Sequence, residues 1–372
     1  MDLFVYGTLR SHALMAAVAG PGVLDPVQAR LNSYAVVPLE GNVVPFVRPA
    51  DGQIAEGLLW RDLSPAQMAR LDAYEGAFGY ELGPVLVDAD GQQLTAQCYL
   101  PPPNLIAGEG EWSLSEWEAG HLAPAVLAAK EVFSHNPIPD HASLRRMWPM
   151  IEARAWARHR AAVTPAAHRH APDGDDFVRA DARPPQGQFF RFQSVDINHR
   201  TFTGDRSDTM TREVFVGVDA AIVLPYDPVR DKVLLVEQAR VGPHLRHDPN
   251  PWMLEPVAGI IDARETPEGA ALRETQEEAG LRDVELIKAG SFYVSPGSTT
   301  DYFYTFIGLC DLPQDAPYLG GLPEEGEDLR LHPLPFETAL ALADTGEIQT
   351  GPAVYLIHWL LRHRDRLRAA SG

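Results

Sequence analysis

One stretch constrains the chain more than any other: Gly259-Ile-Ile-Asp-Ala-Arg-Glu265-Thr-Pro267-Glu-Gly-Ala-Ala-Leu-Arg273-Glu274-Thr275-Gln-Glu277-Glu278-Ala-Gly280-Leu281. Proline is favoured in a first helical turn, so the glycine-containing loop leads into a helix near Pro267. Glu274, Glu277 and Glu278 then stand at i, i+3 and i+4, with their carboxylates on one face. Like charges at this spacing repel by about a few tenths of a kcal/mol per pair, so helix stability does not call for them. A hard divalent cation does, because Mg2+ takes carboxylate oxygens together with substrate phosphates and waters. Arg273 is placed to hold the acidic group together. The competing reading is a solvated acidic face. The spacing decides against it.

Glycine, five residues, Glu, seven residues, Arg-Glu, two residues, Glu-Glu, one residue and Gly is a pattern that resembles the Nudix box of hydrolases acting on nucleoside diphosphates linked to a further group. Thr275 is its one departure, at a position where the family usually has a bulky aliphatic residue. Outside the box, Glu237-Gln238-Ala-Arg240, Leu254-Glu255-x-x-Ala258-Gly259 and Ser295-Pro296-Gly297 resemble the ADP-ribose pyrophosphatase branch. Gly321-Leu-Pro-Glu324-Glu325-Gly-Glu327-Asp328 resembles its acidic loop. Gly297-Ser-Thr-Thr-Asp301 departs from the branch, which often has two glycines and then Ser-Glu, so Asp301 is one methylene short for a sugar contact.

A pyrophosphate is anionic and kinetically inert, so its hydrolysis needs charge neutralised and a water oriented. The resemblance implies Mg2+, with Mn2+ as a substitute, held by Glu274, Glu278, Glu327 and the carbonyl of Ala258. It implies Glu277 as a further ligand or supporting group and Glu325 as the catalytic base. Arg240 and Arg212 are candidates for holding phosphate, and Gly259, Pro296, Gly297 and Asp301 for lining the substrate. The implied substrate is ADP-ribose, split to AMP and ribose 5-phosphate. The branch also implies a homodimer through residues 189–216.

The N-terminal part reads separately. Strand-like runs occur at Leu3–Tyr6, Ser33–Val37, Ile54–Trp60, Gly83–Val87 and Leu94–Leu100. Ser64-Pro-Ala-Gln67 carries helix-start signals, and the helix they open delivers Glu75 and Gly76 at its end. An acidic residue there opposes the helix dipole. Tyr6-Gly7-Thr8-Leu9-Arg10 and Leu71-Asp-Ala-Tyr-Glu75-Gly76 resemble two motifs of the gamma-glutamylcyclotransferase-like (AIG2-like) fold over residues 1–105. That resemblance implies a mixed β-barrel with helices, a carboxylate-binding loop at Tyr6, Gly7, Thr8 and Leu9, and Glu75 as proton carrier. It leaves open whether this part is the main catalyst or a regulatory binding module. The fusion of the two parts resembles bacterial proteins described as tellurite-resistance proteins, a phenotype rather than a chemistry.

Between the two parts, residues 106–163 read as a helical connector. Ser115 with Glu118 forms a capping-box pattern, and a second helix from about 142 to 163 is expected to break or kink near Pro149. Residues 164–186, rich in Pro, Ala, Asp and His, read as a linker. His159, His168 and His170 near it are more readily solvated than metal-binding. From residue 187 to 372 strands, the box helix, more strands and a closing helix fit an α/β/α sandwich. The fold class is therefore mixed, α+β joined to α/β.

Composition narrows the partners. With 31 Lys+Arg against 51 Asp+Glu, the formal net charge of −20 argues against nucleic acid, whose phosphates need a basic surface. The small-molecule substrate must then be met locally by metal and a few arginines. No apolar run reaches the roughly 20 residues needed to span a bilayer. Only Cys98 and Cys310 occur, in different halves, and the opening Met-Asp-Leu-Phe-Val-Tyr lacks the form of a signal peptide. A cytoplasmic protein is the expectation.

Overall fold

The computed structural model describes every residue except 24, 162–167, 171–172, 313–315, 323–325 and 371–372. The chain divides into two compact units, Met1–Arg212 and Glu213–Gly372.

In the first unit β1 (Leu3–Val5), β2 (Val27–Pro38), β3 (Pro45–Trp60), β4 (Glu81–Ala89) and β5 (Gln92–Leu100) form a closed barrel in the order β1-β3-β2-β4-β5. Closure falls to β1, antiparallel to β3 and parallel to β5, with Leu3 opposite Gln97. Side chains alternate along a strand. Phe4 and Tyr6 accordingly pack within the barrel against Ala29, Val47, Leu59 and Cys98, while Leu3 and Val5 pack outside against helices. Gly57 permits the tight approach of β3 to β1, since a Cβ there would overlap the Val5 carbonyl and the Phe4 ring.

Those helices are α1 (His12–Ala19), α2 (Pro65–Glu75), α3 (Leu114–Val132) and α4 (His141–Ala161). The capping box at Ser64 forms in both directions. Ser64 Oγ accepts from the Gln67 N–H at 3.3 Å, and Gln67 Oε1 accepts from the Ser64 N–H at 2.8 Å. At α3 the cap is Ser113, which accepts from the Glu116 N–H at 3.4 Å, and not Ser115. Ser115 already lies inside the helix, where its hydroxyl pairs with Ser113 Oγ at 2.9 Å. Pro149 does not interrupt α4. Burial of Leu144, Met147 and Ile151 against Ala128 and Val132 outweighs the missing N–H. Trp117 and Ala129 of α3 join the core shared by α1, α2 and the outer barrel face, so residues 106–161 are built into this unit.

The segment expected to be a linker holds a strand, β6 (Phe177–Ala182), antiparallel to β7 (Arg191–His199) with Phe177 opposite His199. Its residues are largely exposed and lack an apolar alternation, so the sequence carries no strand signal here. His170, near its start, bonds Asp176 at 2.9 Å. β8 (Met210–Val216) follows, and the boundary between the units falls inside it, later than residue 187.

The second unit runs β9 (Asp219–Asp227), β10 (Lys232–Ala239), α5 (Val241–Leu245), β11 (Trp252–Glu255), β12 (Val257–Ile260), α6 (Pro267–Ala279), β13 (Glu285–Tyr293), β14 (Tyr302–Leu309), β15 (Tyr318–Gly320), β16 (Leu329–Pro335), α7 (Phe336–Thr345) and α8 (Gly351–Ala370). The sheet has the order β13-β14-β9-β10-β16-β15, with β11 added on β10 and β12 on β9. Its central strands are apolar on both faces. Ala221, Val223, Leu234 and Val236 pack with Ala270 and Ala271 of α6. Their neighbours Ile222, Leu224, Val233 and Leu235 pack with Phe336 of α7 and Leu356, Ile357 and Leu360 of α8. A sheet buried on both faces needs a helical layer on each side. The result is the α/β/α sandwich. No described helix is long and apolar enough to cross a membrane.

Candidate functional site

Helix α6 starts where Thr266 Oγ1 accepts from the Gly269 N–H at 3.0 Å, with Pro267 in the first turn, and it ends at Gly280 with φ +69°. Thr275 is fully buried and its hydroxyl bonds back to the Ala271 carbonyl at 2.6 Å, which satisfies a polar group where an aliphatic one is usual. Arg273 gathers the neighbouring acids. Its guanidinium donates to both oxygens of Glu265 at 3.0 and 2.9 Å, to Glu274 Oε1 at 2.6 Å and to Glu277 Oε2 at 2.9 Å, and also to the Ile260 carbonyl at 3.0 Å. The preceding loop is thereby tied to the helix. Glu265 belongs to the box spacing, but its part in this clamp was not legible. Gly259 completes the arrangement, because a Cβ there would overlap the Glu274 carboxylate.

Glu278 lies outside this clamp and is 2% exposed. Its Oε2 is buried with no hydrogen-bond partner. Burial, with the charges of Glu327 and Glu274 adding to it, pushes its carboxyl up to about 8. Burial also raises Glu274, against the pull of Arg273. Glu327 arrives from the loop after β15 and accepts from the Leu322 N–H at 3.1 Å. Gly320 and Gly321 bring that loop in: the Gly321 N–H donates to the Glu278 carbonyl at 3.1 Å, and a Cβ on Gly320 would overlap the same oxygen. This glycine pair before an acidic run was the available signal for the contact. Among the described residues no three acidic, His or Cys side chains already stand at ligand geometry. The donor set nonetheless fits a hard cation, since three mutually repelling carboxylates include a buried oxygen that nothing satisfies.

The remaining candidates separate. Arg240 is near enough for its charge to lower the Glu278 carboxyl, and it is held by Glu255 at 2.7 Å across the β10–β11 edge. Arg212 is exposed and donates to the Thr211 carbonyl and to Met210 Sδ. Pro296 and Gly297 lie on an exposed loop, closed by Ser298 and Thr299 N–H groups on the Ser295 carbonyl at 3.0 Å. Asp301 is turned inward as a brace. Its Oδ1 accepts from the Val218 N–H at 3.3 Å and its Oδ2 from Thr299 Oγ1 at 2.6 Å, in space that a side chain at position 217 would fill. Glu325 lies outside the described residues.

In the first unit Glu75 ends α2 among Tyr6, Tyr74, Tyr80, Cys98 and Tyr99, whose own ionisation its charge opposes. Burial raises its carboxyl to about 7. The loop from Tyr6 to Leu9 turns through a short 3-10 segment, with the Arg10 N–H on the Gly7 carbonyl at 3.1 Å, and Tyr6 Oη donates to the Tyr99 carbonyl at 3.2 Å. His141 of α4 lies against Gly76, and Arg145 Nε donates to the Ala77 carbonyl at 2.8 Å. The connector helix therefore fixes the segment that carries Glu75.

Residues 217–349 match the family description "NUDIX domain", and residues 3–119 match "Gamma-glutamyl cyclotransferase, AIG2-like". A Haemophilus influenzae protein named ADP-ribose pyrophosphatase is 38% identical over 174 residues, 46% of this chain and 80% of that protein. The chain belongs to the Nudix family. Another relative, the ADP-ribose pyrophosphatase of Escherichia coli strain K12, is 37% identical to this Nudix protein over 180 residues, 48% of this chain and 85% of the relative. A GDP-mannose pyrophosphatase from Enterobacter sp. strain 638 is 36% identical over 149 residues, covering 40% and 76%. The protein is thus a Nudix pyrophosphohydrolase that carries an AIG2-like domain on its N-terminal side.

Two expectations follow for this Nudix protein. Gly259→Ala should displace Glu274 and abolish pyrophosphohydrolase turnover, while circular dichroism keeps the wild-type form; retained turnover would show that the close approach is dispensable. Glu75 has a folded pKa of about 7 against an ordinary 4.5, so the folded state binds more protons between these values. Stability must then fall as pH rises through that window. Glu75→Gln should match wild type below about pH 4.5 and exceed it above about pH 7 in urea midpoint, and parallel curves would contradict the shift.

Proposed function

We propose that the Nudix site hydrolyses the pyrophosphate of ADP-ribose, or of a closely related nucleoside diphosphate sugar, to AMP and ribose 5-phosphate with Mg2+. Water adds to one phosphorus and the bridging oxygen leaves with the other phosphate. Glu278, buried with its Oε2 unpartnered and beside Glu274 and Glu327, carries the reading, and the ADP-ribose pyrophosphatase relatives support the substrate. Glu274, Glu278, Glu327 and the Ala258 carbonyl would hold Mg2+, with Mn2+ as a substitute. When bound, the cation supplies charge neutralisation for the phosphates and a more acidic water. The chain's own groups do the rest. Arg273 keeps Glu274 and Glu277 in place, Arg240 grips phosphate beside Glu255, and Glu325 is the proposed proton acceptor. Gly259 admits the Glu274 carboxylate to the substrate side, Pro296 and Gly297 would line the substrate, and Asp301 shapes the loop. Net charge leaves nucleic acid out as a partner, and two buried free thiols fit a reducing cytoplasm.

A second reading concerns the N-terminal unit. Glu75, with a carboxyl near 7 beside the Tyr6–Leu9 loop, has the protonation behaviour of a general acid/base. It would move a proton during cyclisation of a gamma-glutamyl group to 5-oxoproline. We further propose a homodimer through residues 189–216, where Phe189, Phe190, Phe192 and Phe202 are exposed.

Wild type with Mg2+ should release AMP from ADP-ribose, and Glu278→Gln should lower turnover by about a hundredfold or more. Equal turnover in the variant would remove Glu278 from the site. Glu75→Gln should abolish 5-oxoproline release from gamma-glutamyl amines, and a wild type that releases none would make the N-terminal unit a binding module. Light scattering should give a dimer mass; a monomer mass independent of concentration would refute the assembly.

A further inference from the structure

A charged cluster in the first unit is used by neither catalytic reading. Glu131 of α3 is fully buried, and three arginines converge on it. Arg154 of α4 places Nε 2.8 Å from Oε1, while Arg158 of α4 and Arg191 of β7 place Nη1 3.2 and 3.0 Å from Oε2. The side chains of Arg154 and Arg191 are 2% and 5% exposed, and that of Arg158 is 38% exposed. Arg154 Nη1 also donates to the Phe189 carbonyl at 3.1 Å, and Arg191 Nη2 to Ser134 Oγ at 3.0 Å.

Neither charge nor hydrogen bonding closes in this cluster. Among the described residues, Glu131 is the one carboxylate within ion-pair distance of these three guanidiniums. His135 stands beside them and is driven toward its neutral form by burial and by Arg191. Arg191 Nη1 and Glu131 Oε2 are spent on their own ion pair, whereas Arg191 Nε and His135 Nε2 are buried without a hydrogen-bond partner. Buried polar atoms left in this way mark an ordered water or ion. A water would satisfy donors and leave the excess positive charge in a low-dielectric interior, where it is costly. An anion answers both.

We propose that the Glu131 cluster is an anion site for a phosphate dianion, held by Arg191, Arg158 and His135. The planar guanidinium fork matches phosphate oxygens, and its bonds to them are charge-assisted. Arg158, the partly exposed member, is the route from solvent. Ser134, already bonded to Arg191, closes the other edge of that guanidinium. Arg191 opens β7 and Arg154 holds Phe189, so a bound anion fastens this segment to α3 and α4. The dianion is supplied either as free inorganic phosphate or as the terminal group of a small phosphomonoester. The site stands independently of what the Nudix site hydrolyses.

The test is calorimetric titration of the full chain with inorganic phosphate at fixed ionic strength, in metal-free buffer without other oxyanions. Wild type should bind saturably, and Arg158→Gln should weaken binding by about tenfold or more, as loss of one charge-assisted hydrogen bond implies. Arg158 is partly exposed, so the variant's thermal unfolding is expected near that of wild type. Arg158→Lys should recover part of the affinity. A parallel titration with ribose 5-phosphate separates the sources: binding with the same dependence on Arg158 extends the site to phosphomonoesters, and binding of phosphate alone restricts it to the free ion. No saturable phosphate binding, or equal affinity in Arg158→Gln, overturns the proposal.

Discussion

The Nudix site depends on keeping carboxylates together in a partly dry place. Coulomb repulsion between such groups grows as the local dielectric falls, and burial raises the cost of each charge. The fold meets this in two ways. One guanidinium, Arg273, takes Glu265, Glu274 and Glu277 and fastens the box loop through the Ile260 carbonyl. Glu278 receives no such partner, and its carboxyl is pushed up to about 8. A site that is half neutralised by arginine and half left wanting is suited to accept a cation without collapsing before it arrives.

Glycines decide how closely these pieces approach. Gly259 lets the Glu274 carboxylate lie on the strand, and Gly320 lets β15 reach the end of α6. A methyl group at either position would push apart elements whose separation sets the charge coupling. The N-terminal unit uses the same device, with Gly57 admitting β3 against β1 and Gly76 admitting the His141 ring beside Glu75.

Local patterns were legible in the sequence, and distant partnerships were not. The box spacing fixed α6 and the face carrying its acids, because both follow from helical periodicity. The Ser64–Gln67 box was readable for the same reason. Ser113 and Ser115 could not be separated by pattern alone, since each precedes Glu by three residues. Pro149 does not break α4, because a neighbouring helix, invisible in sequence, packs along it. β6 was hidden by its exposure. The pairing of Arg240 with Glu255 needs the β10–β11 register, which sets Glu237 opposite Leu254. The bracing of Asp301 by the Val218 N–H and by Thr299 of its own loop depends on chain crossings that its motif does not encode. A carboxyl displaced to about 8 is likewise a property of assembled surroundings, not of a motif.

The strict division of β9 and β10 between two helix layers has an evolutionary corollary. Alternate residues on these strands are committed to opposite cores, so they tolerate little change. A segment between strands such as 241–251 is mostly exposed and carries no such commitment. Substrate preference can therefore drift through loop exchange while the scaffold and its acidic helix stay fixed. Related enzymes can diverge toward different nucleotide sugars without first surrendering stability.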